Sequence, residues 1–194
     1  MNKIRKALNI FLFSDILLLI TETERMIFMF KEIQPRELAD NPFKLIGDDW
    51  TLVTSGSKES FNTMTASWGG VGIMWGDPVA ITFIRPQRYT FGFTEQNDYY
   101  SLCFFDEKYR SALKLCGTKS GRDVDKVKET GLTPAFTEEG VPYFEEARLV
   151  LICKKQYAQL LNEESVVDES IKKWYDNDYH KMYISQIVRV LKAE

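Results

Sequence analysis

Three short segments of this 194-residue chain carry side chains able to hold a small anionic ligand. The first, "NTMTASW" from Asn62 to Trp68, reads as a β-strand whose residues sort by a period of two. One face would carry Thr63, Thr65 and Ser67, and the other Asn62, Met64, Ala66 and Trp68. Three hydroxyls in a row would span about 13 Å at roughly 3.3 Å per residue, near the length of an extended phosphorylated cofactor tail. The second, "RPQRYT", puts Arg85, Arg88, Tyr89 and Thr90 at the end of an apolar strand. Two guanidinium groups there could grip a phosphate, and Thr90 could add a hydroxyl while capping the next turn. The third, "SGRDVDK", reads as a helix start with Ser120 and Asp123 in capping-box spacing. Ser120 and Gly121 would offer backbone N–H groups to an anion, and Arg122 and Lys126, four residues apart, would lean the same way. Each also has a purely structural reading, as a solvated strand end or a capped surface helix.

Other chemistries lack their residues. A net charge of −3 and the absence of any five-residue run of Lys and Arg argue against nucleic acid as a partner. The cysteines Cys103, Cys116 and Cys153 are odd in number and form no C-x-x-C pair, so neither a disulfide framework nor a zinc site is expected. Their reduced state points to the cytoplasm. His180 is the single histidine, which excludes a two-histidine metal site and forces any catalytic triad through that position. "GGVGIMWG" fails as a dinucleotide loop because Pro78 and another strand follow it rather than a helix. Its glycines read as turn and close-approach positions between strands.

The elements that must position these residues are mostly strands. Runs at 50–56, 62–68, 78–86, 99–105, 147–155 and 181–191 are rich in β-branched and aromatic residues. "DEKYRSALKLCG" reads as a helix with Asp106 as N-cap, Tyr109, Leu113 and Cys116 on one face, and Gly117 past its end. A second helix follows from Ser120 and stops at Gly131. Strands at close intervals with helices clustered in mid-chain predict a mainly β fold, an antiparallel barrel with helical additions. Residues 1–25 differ, running from basic "MNKIRK" through an apolar stretch to polar "TETER". Asn9, Ser14 and Asp15 interrupt that stretch and it is too short to span a bilayer, so it is expected to be an N-terminal extension with no membrane partner, from a start assigned upstream of Met26 or Met29, rather than a weak leader. Residues 26–194 form the domain.

Together, "DNPFKLIGDDWTLVTSG", "NTMTASWGGVGIMWGDPVAITFIRPQRYT", "SLCFFDEKYRSALKLCGTKSGRDVDK" and "DYHKMYI" resemble the flavin reductase-like family of FMN-binding split β-barrels, its flavoredoxin subgroup in particular. The resemblance implies a six-stranded antiparallel Greek-key split barrel that forms a homodimer, with FMN near the subunit interface. It implies that Thr65 and Ser67 meet the ribityl chain and ring edge, with Thr63 lying too far along. Trp68 and Met64 would wall the site or pack in the core. Arg85, Arg88, Tyr89 and Thr90 would give phosphate and ribityl contacts, and Ser120, Arg122 and Lys126 further phosphate contacts. His180 would be the catalytic-side residue, on the nicotinamide face of the flavin. Cys116 would face the flavin or fill the helix core.

The function so implied is an FMN-dependent oxidoreductase that takes a hydride from NAD(P)H, a transient co-substrate, and passes electrons to a flavin or a redox partner protein. One departure bears on it. The family's "YIGEI" is "YISQI" here, and a side chain at Ser185 would crowd close backbone approach, which bears on the nicotinamide pocket more than on the FMN grip. That favours an electron carrier without its own NAD(P)H site. A non-redox FMN binder or sensor is a third reading.

Overall fold

The computed structural model describes residues 30–193. The expectation for residues 1–25 lies outside them. Besides short 3-10 and π turns, the described residues form ten strands and three α-helices, in the order β1 (Phe30–Ile33), β2 (Thr51–Gly56), β3 (Phe61–Ala66), β4 (Gly69–Met74), β5 (Asp77–Ile84), α1 (Tyr89–Gln96) and β6 (Tyr99–Phe104). There follow α2 (Arg110–Thr118), α3 (Lys126–Thr130), β7 (Pro134–Phe136), β8 (Pro142–Phe144), β9 (Leu149–Leu160) and β10 (Lys181–Ala193).

Eight strands share one antiparallel sheet in the order β3-β2-β6-β9-β10-β5-β4, with β1 added to β10, while β7 and β8 form a separate hairpin. β10 binds the sheet together because it bends. Its register against β9 shifts between Ile184 and Ser185 and again between Ile187 and Arg189. Such bulges sharpen the local twist, which lets one strand serve both halves of a barrel. Its first half pairs with β5 and its last residues, Val190 to Ala193, with β1. β5 and β6, consecutive in the chain, lie three places apart in the sheet and are joined by α1. This is the split β-barrel.

The strand period divides the apolar residues between two cores. Val53, Met64, Tyr100, Leu102, Leu151 and Tyr183 belong to the cluster drawn from strands all round the barrel. Their neighbours Leu52, Cys103 and Ile152 belong to a second cluster with Leu113 and Cys116 of α2 and Tyr143 and Phe144 of β8. The helix thus lies on the outside of the barrel wall.

All six expected strands are present, but the sheet has eight because β1 and β4 join it. "GGVGIMWG" is not a set of turns. Gly70 pairs with Ile81 and Gly72 with Val79 as strand residues, and only Gly76, at φ 84°, turns the chain. The close-approach part of the expectation holds at Gly69, where a Cβ would sit 2.6 Å from the Ile81 carbonyl oxygen.

The helices begin later than the sequence suggests. Asp106 precedes a short 3-10 turn, Glu107–Tyr109, without a side-chain cap, and α2 starts at Arg110. Gly117 lies inside α2, where a Cβ would come within 3.3 Å of the Thr65 side chain, so it serves close helix–strand packing. The Ser120–Asp123 capping box does not form. Ser120 to Val124 make a tight turn in which Ser120 Oγ accepts from Arg122 N at 3.2 Å, and Asp125 caps the five-residue α3 by accepting from Lys128 N. Gly131, at φ 70°, ends it as expected.

Candidate functional site

β3, the end of β5 with the loop into α1, and the turn before α3 meet at one cleft of two lobes. An anion lobe of about 200 Å³ is lined by Asn62, Met64, Arg88, Tyr89, Thr90, Ser120, Gly121, Arg122 and Lys126. A ring lobe of about 220 Å³ is lined by Met64, Thr65, Ala66, Ser67, Trp68, Phe83, Arg85, Arg88 and His180. Met64 and Arg88 belong to both lobes, so the two are continuous. Together they reach the size of an ordinary small-molecule site, about 300–1,000 Å³. Of the cofactor-contact residues nominated in the three segments and "DYHKMYI", all but Thr63 line one lobe or the other.

The anion lobe owes its character to Lys126. Its side chain is buried, 6% exposed, and its ammonium donates to the carbonyl oxygens of Thr63 at 2.7 Å and Cys116 at 2.8 Å. Arg88 Nη2 donates to the same Cys116 oxygen at 3.4 Å. Among the described residues no carboxylate pairs with either cation. Burial first, and then the neighbouring Arg88 charge, push the Lys126 ammonium down to about 8. Burial and Arg85 likewise lower Arg88. An uncompensated buried cation is costly, and a bound anion relieves that cost. This donor set fits a phosphate.

Several nominated groups are occupied within the protein. The hydroxyl row on β3 is not free: Thr63 Oγ1 lies 2.8 Å from Thr54 Oγ1, and Thr65 Oγ1 donates to the Leu113 carbonyl of α2. The opposite face of the strand, Asn62, Met64, Ala66 and Trp68, also lines the cleft, which Thr65 and Ser67 join at the ring lobe. Arg85 is not a free phosphate donor either. Its guanidinium pairs with the Asp178 carboxylate and donates to the Trp174 carbonyl at 2.7 Å. Thr90 caps no turn; it lies in the first turn of α1, where its buried hydroxyl accepts from Asn62 Nδ2 at 2.7 Å. Arg122 is exposed, donates to the Gln87 carbonyl at 3.2 Å and covers the Tyr89 ring at 4.7 Å. The helix-start reading of "SGRDVDK" therefore gives way to side-chain cations around a turn.

The ring lobe is aromatic. The Trp68 ring stands 5.0 Å from His180 and 5.7 Å from Trp174, and Phe83 lies 6.4 Å from His180. Burial, followed by the charge of Arg85, pushes His180 down to about 4, so its imidazole is neutral at physiological pH. Cys116 takes the core alternative: its thiol is fully buried and burial pushes it up to about 11. The backbone oxygen, not the sulfur, serves the site. Ser185 does not reach the cleft. It is fully buried in the barrel and accepts from the Tyr100 hydroxyl at 3.0 Å, so it crowds no pocket. Asn62, Phe83, Trp174, Tyr175 and the Cys116 carbonyl were not nominated from sequence. Strand parity alone could have signalled Asn62, which shares its face with Trp68.

A family model for the flavin reductase like domain matches residues 45–192. The chain belongs to the flavin reductase-like family. Its fold recurs in flavoredoxin from Methanosarcina acetivorans, at TM-score 0.60 and 19% identity over 75% of this chain and 69% of that one. An FMN-binding protein from Thermus thermophilus, with bound 1-cyclohex-2-enone, gives 0.58 and 20% over 79% and 77%. Nitrilotriacetate monooxygenase component B from Bacillus cereus gives 0.60 and 21% over 84% and 81%. Among curated proteins, none matches the chain. Among the described residues no group of side chains could hold a metal ion. Nor is any described helix long and apolar enough to cross a membrane.

Proposed function

We propose that this flavin reductase-like protein binds FMN and acts as an oxidoreductase, moving a hydride or electrons from NAD(P)H to a flavin or a protein acceptor. The observation that carries the reading is the pair Lys126 and Arg88, two cations without a carboxylate partner among the described residues, at one end of a cleft whose other end is walled by Trp68, Phe83 and His180. FMN, when bound, supplies the redox chemistry through its ring system.

The chain's own residues bind, orient and exclude water. Lys126 and Arg88 hold the phosphate by charge-assisted hydrogen bonds, with Ser120 and Arg122 at the rim. Asn62 and Thr90, already bonded to each other, stiffen the passage between phosphate and ring. Trp68, Phe83 and Met64 provide apolar contact for the ring, with Thr65 and Ser67 at its edge. His180, neutral, offers hydrogen bonding rather than charge beside the ring lobe. No side chain needs to act as acid or base, because the work is positioning.

A flavoredoxin-type carrier reduced only by a partner protein is the competing reading. The burial of Ser185 removes the reason for preferring it. We further propose a cytoplasmic homodimer, supported by the exposed apolar residues Ile73 and Trp75 at and just beyond edge strand β4, and tested by light scattering in solution. To test the function, the purified protein is heated, the released cofactor is identified by mass, and the FMN-loaded protein is mixed anaerobically with NADH and with NADPH. Rapid bleaching of the flavin absorbance is expected. Release of FAD, or a protein that FMN does not stabilise, would overturn the cofactor reading, and bleaching only by a partner protein would identify a carrier.

A further inference from the structure

The 20 residues between β9 and β10, 161–180, run past the ring lobe rather than directly from strand to strand. Arg85 ties this excursion to the barrel through Asp178 and the Trp174 carbonyl, and Gln87 Nε2 donates to the same Asp178 carboxylate at 2.8 Å. The tie fixes Tyr175. Its ring stacks on Tyr179 at 4.3 Å, lies under the Arg85 guanidinium at 5.6 Å, and meets the His180 ring edge-on at 5.6 Å. Its hydroxyl stands 3.3 Å from His180 Nδ1.

That contact has two possible directions, and chemistry favours one. A phenol is a stronger donor than a neutral imidazole N–H, and an imidazole nitrogen a stronger acceptor than a phenol oxygen. Burial keeps the Tyr175 phenol protonated, raising it above its ordinary value. The hydrogen bond at one ring nitrogen of a neutral histidine decides which nitrogen carries the proton. Trp68 and Phe83 hold the ring from other sides, and among the described residues Nε2 has no protein partner.

We propose that Tyr175 is a positioning residue for His180: its hydroxyl donates to Nδ1, fixes the imidazole as the Nε2–H tautomer, and so offers the ring lobe a neutral hydrogen-bond donor suited to a carbonyl or carboxamide oxygen. His180 is then a donor at its free nitrogen and not a base there. The use of that donor toward a nicotinamide carboxamide rests on the oxidoreductase reading above, whereas the tautomer does not.

The test is nitrogen NMR on the ¹⁵N-labelled, flavin-free protein, where one histidine gives one pair of ring nitrogens. At neutral pH the wild type is expected to show Nδ1 at the far-downfield position of an unprotonated nitrogen and Nε2 at that of an N–H. In Tyr175→Phe the two signals should move toward each other as both tautomers become populated. Tyr179→Phe, which alters the stacked ring without touching the Nδ1 contact, should leave them in place. A protonated Nδ1 in the wild type, or unchanged signals in Tyr175→Phe, would overturn the proposal. The wild-type spectrum decides the tautomer even if Tyr175→Phe does not fold. Because no flavin is present, a failure here is separate from a failure to bind FMN.

Discussion

The Lys126 ammonium and the Arg88 guanidinium converge on one acceptor, the carbonyl oxygen of Cys116, at 2.8 and 3.4 Å. Two cations sharing a neutral oxygen repel each other until an anion arrives. Lys126→Ala and Arg88→Ala should therefore each weaken FMN by roughly 1.5–3 kcal/mol, the range of a charge-assisted hydrogen bond. That is about ten- to a hundredfold in dissociation constant. Riboflavin, which lacks the phosphate, should bind both variants nearly as it binds the wild type. Fluorescence titration with the two ligands checks this, and an equal loss for both would move the anchor elsewhere. Arg122→Ala should cost less, because that side chain is exposed and engaged with Tyr89 and Gln87.

The same lysine sets a pH dependence. In the flavin-free protein it releases its proton near 8, and a phosphate beside it would hold that proton on. FMN binding then takes up a proton above that pH, so affinity falls as pH rises past 8. Below neutrality, affinity should rise with pH as the phosphate acquires its second charge near about 6. Riboflavin affinity should lack both limbs. For folding, the unfolded lysine titrates near 10.5, so the unfolded chain binds more protons between about 8 and 10.5. Lys126 thus contributes stability that increases with pH across that window, a contribution that Lys126→Met should abolish in denaturant titrations.

Arg85 and Arg88 sit three residues apart but do different work. Arg85 is paired with Asp178 and the Trp174 carbonyl, so Arg85→Ala should loosen residues 169–178, read as faster amide hydrogen exchange there. The ratio of FMN to riboflavin affinity should stay near the wild-type value. Arg88→Ala should do the reverse. A fall in that ratio for Arg85→Ala would show that it reaches the phosphate after all.

His180 faces Arg85, Arg88 and Asp178, together with the Tyr175 hydroxyl, and burial outweighs the carboxylate. Its ring protons should titrate near 4 rather than near 6.5. The sign follows from proton counting: between these values the unfolded chain binds more protons, so the contribution is complete above about 6.5 and is lost as pH falls toward 4. Proton NMR reads the single imidazole directly. An inflection near the ordinary histidine value would show that the ring lobe is wetter than its packing implies.

Much of this was legible in the residues themselves. The β-branched and aromatic runs that became β2, β3, β5, β6, β9 and β10 announce themselves locally, because alternation along a strand depends only on sequence spacing. The cleft's inventory was legible too, since Lys126, Arg88, Trp68 and His180 belong to motifs that keep their order along the chain. β4 was missed because three glycines in six residues leave no alternation to read, and it is a strand by virtue of its pairing with β5.

What the chain alone determined, then, is six of the eight strands of the sheet and the identity of most groups that line the cleft. The tertiary structure decided which of those groups are free. Thr65 loses its hydroxyl to Leu113, Arg85 its guanidinium to Asp178, and Ser185 its place at the pocket to the barrel interior, while Lys126 is carried inward between two carbonyls. Each outcome depends on a partner between 10 and 93 positions away in sequence, with which only folding brings it into contact. Periodicity reports the direction of a side chain, but its hydrogen-bonding capacity is consumed by whatever the fold sets opposite it.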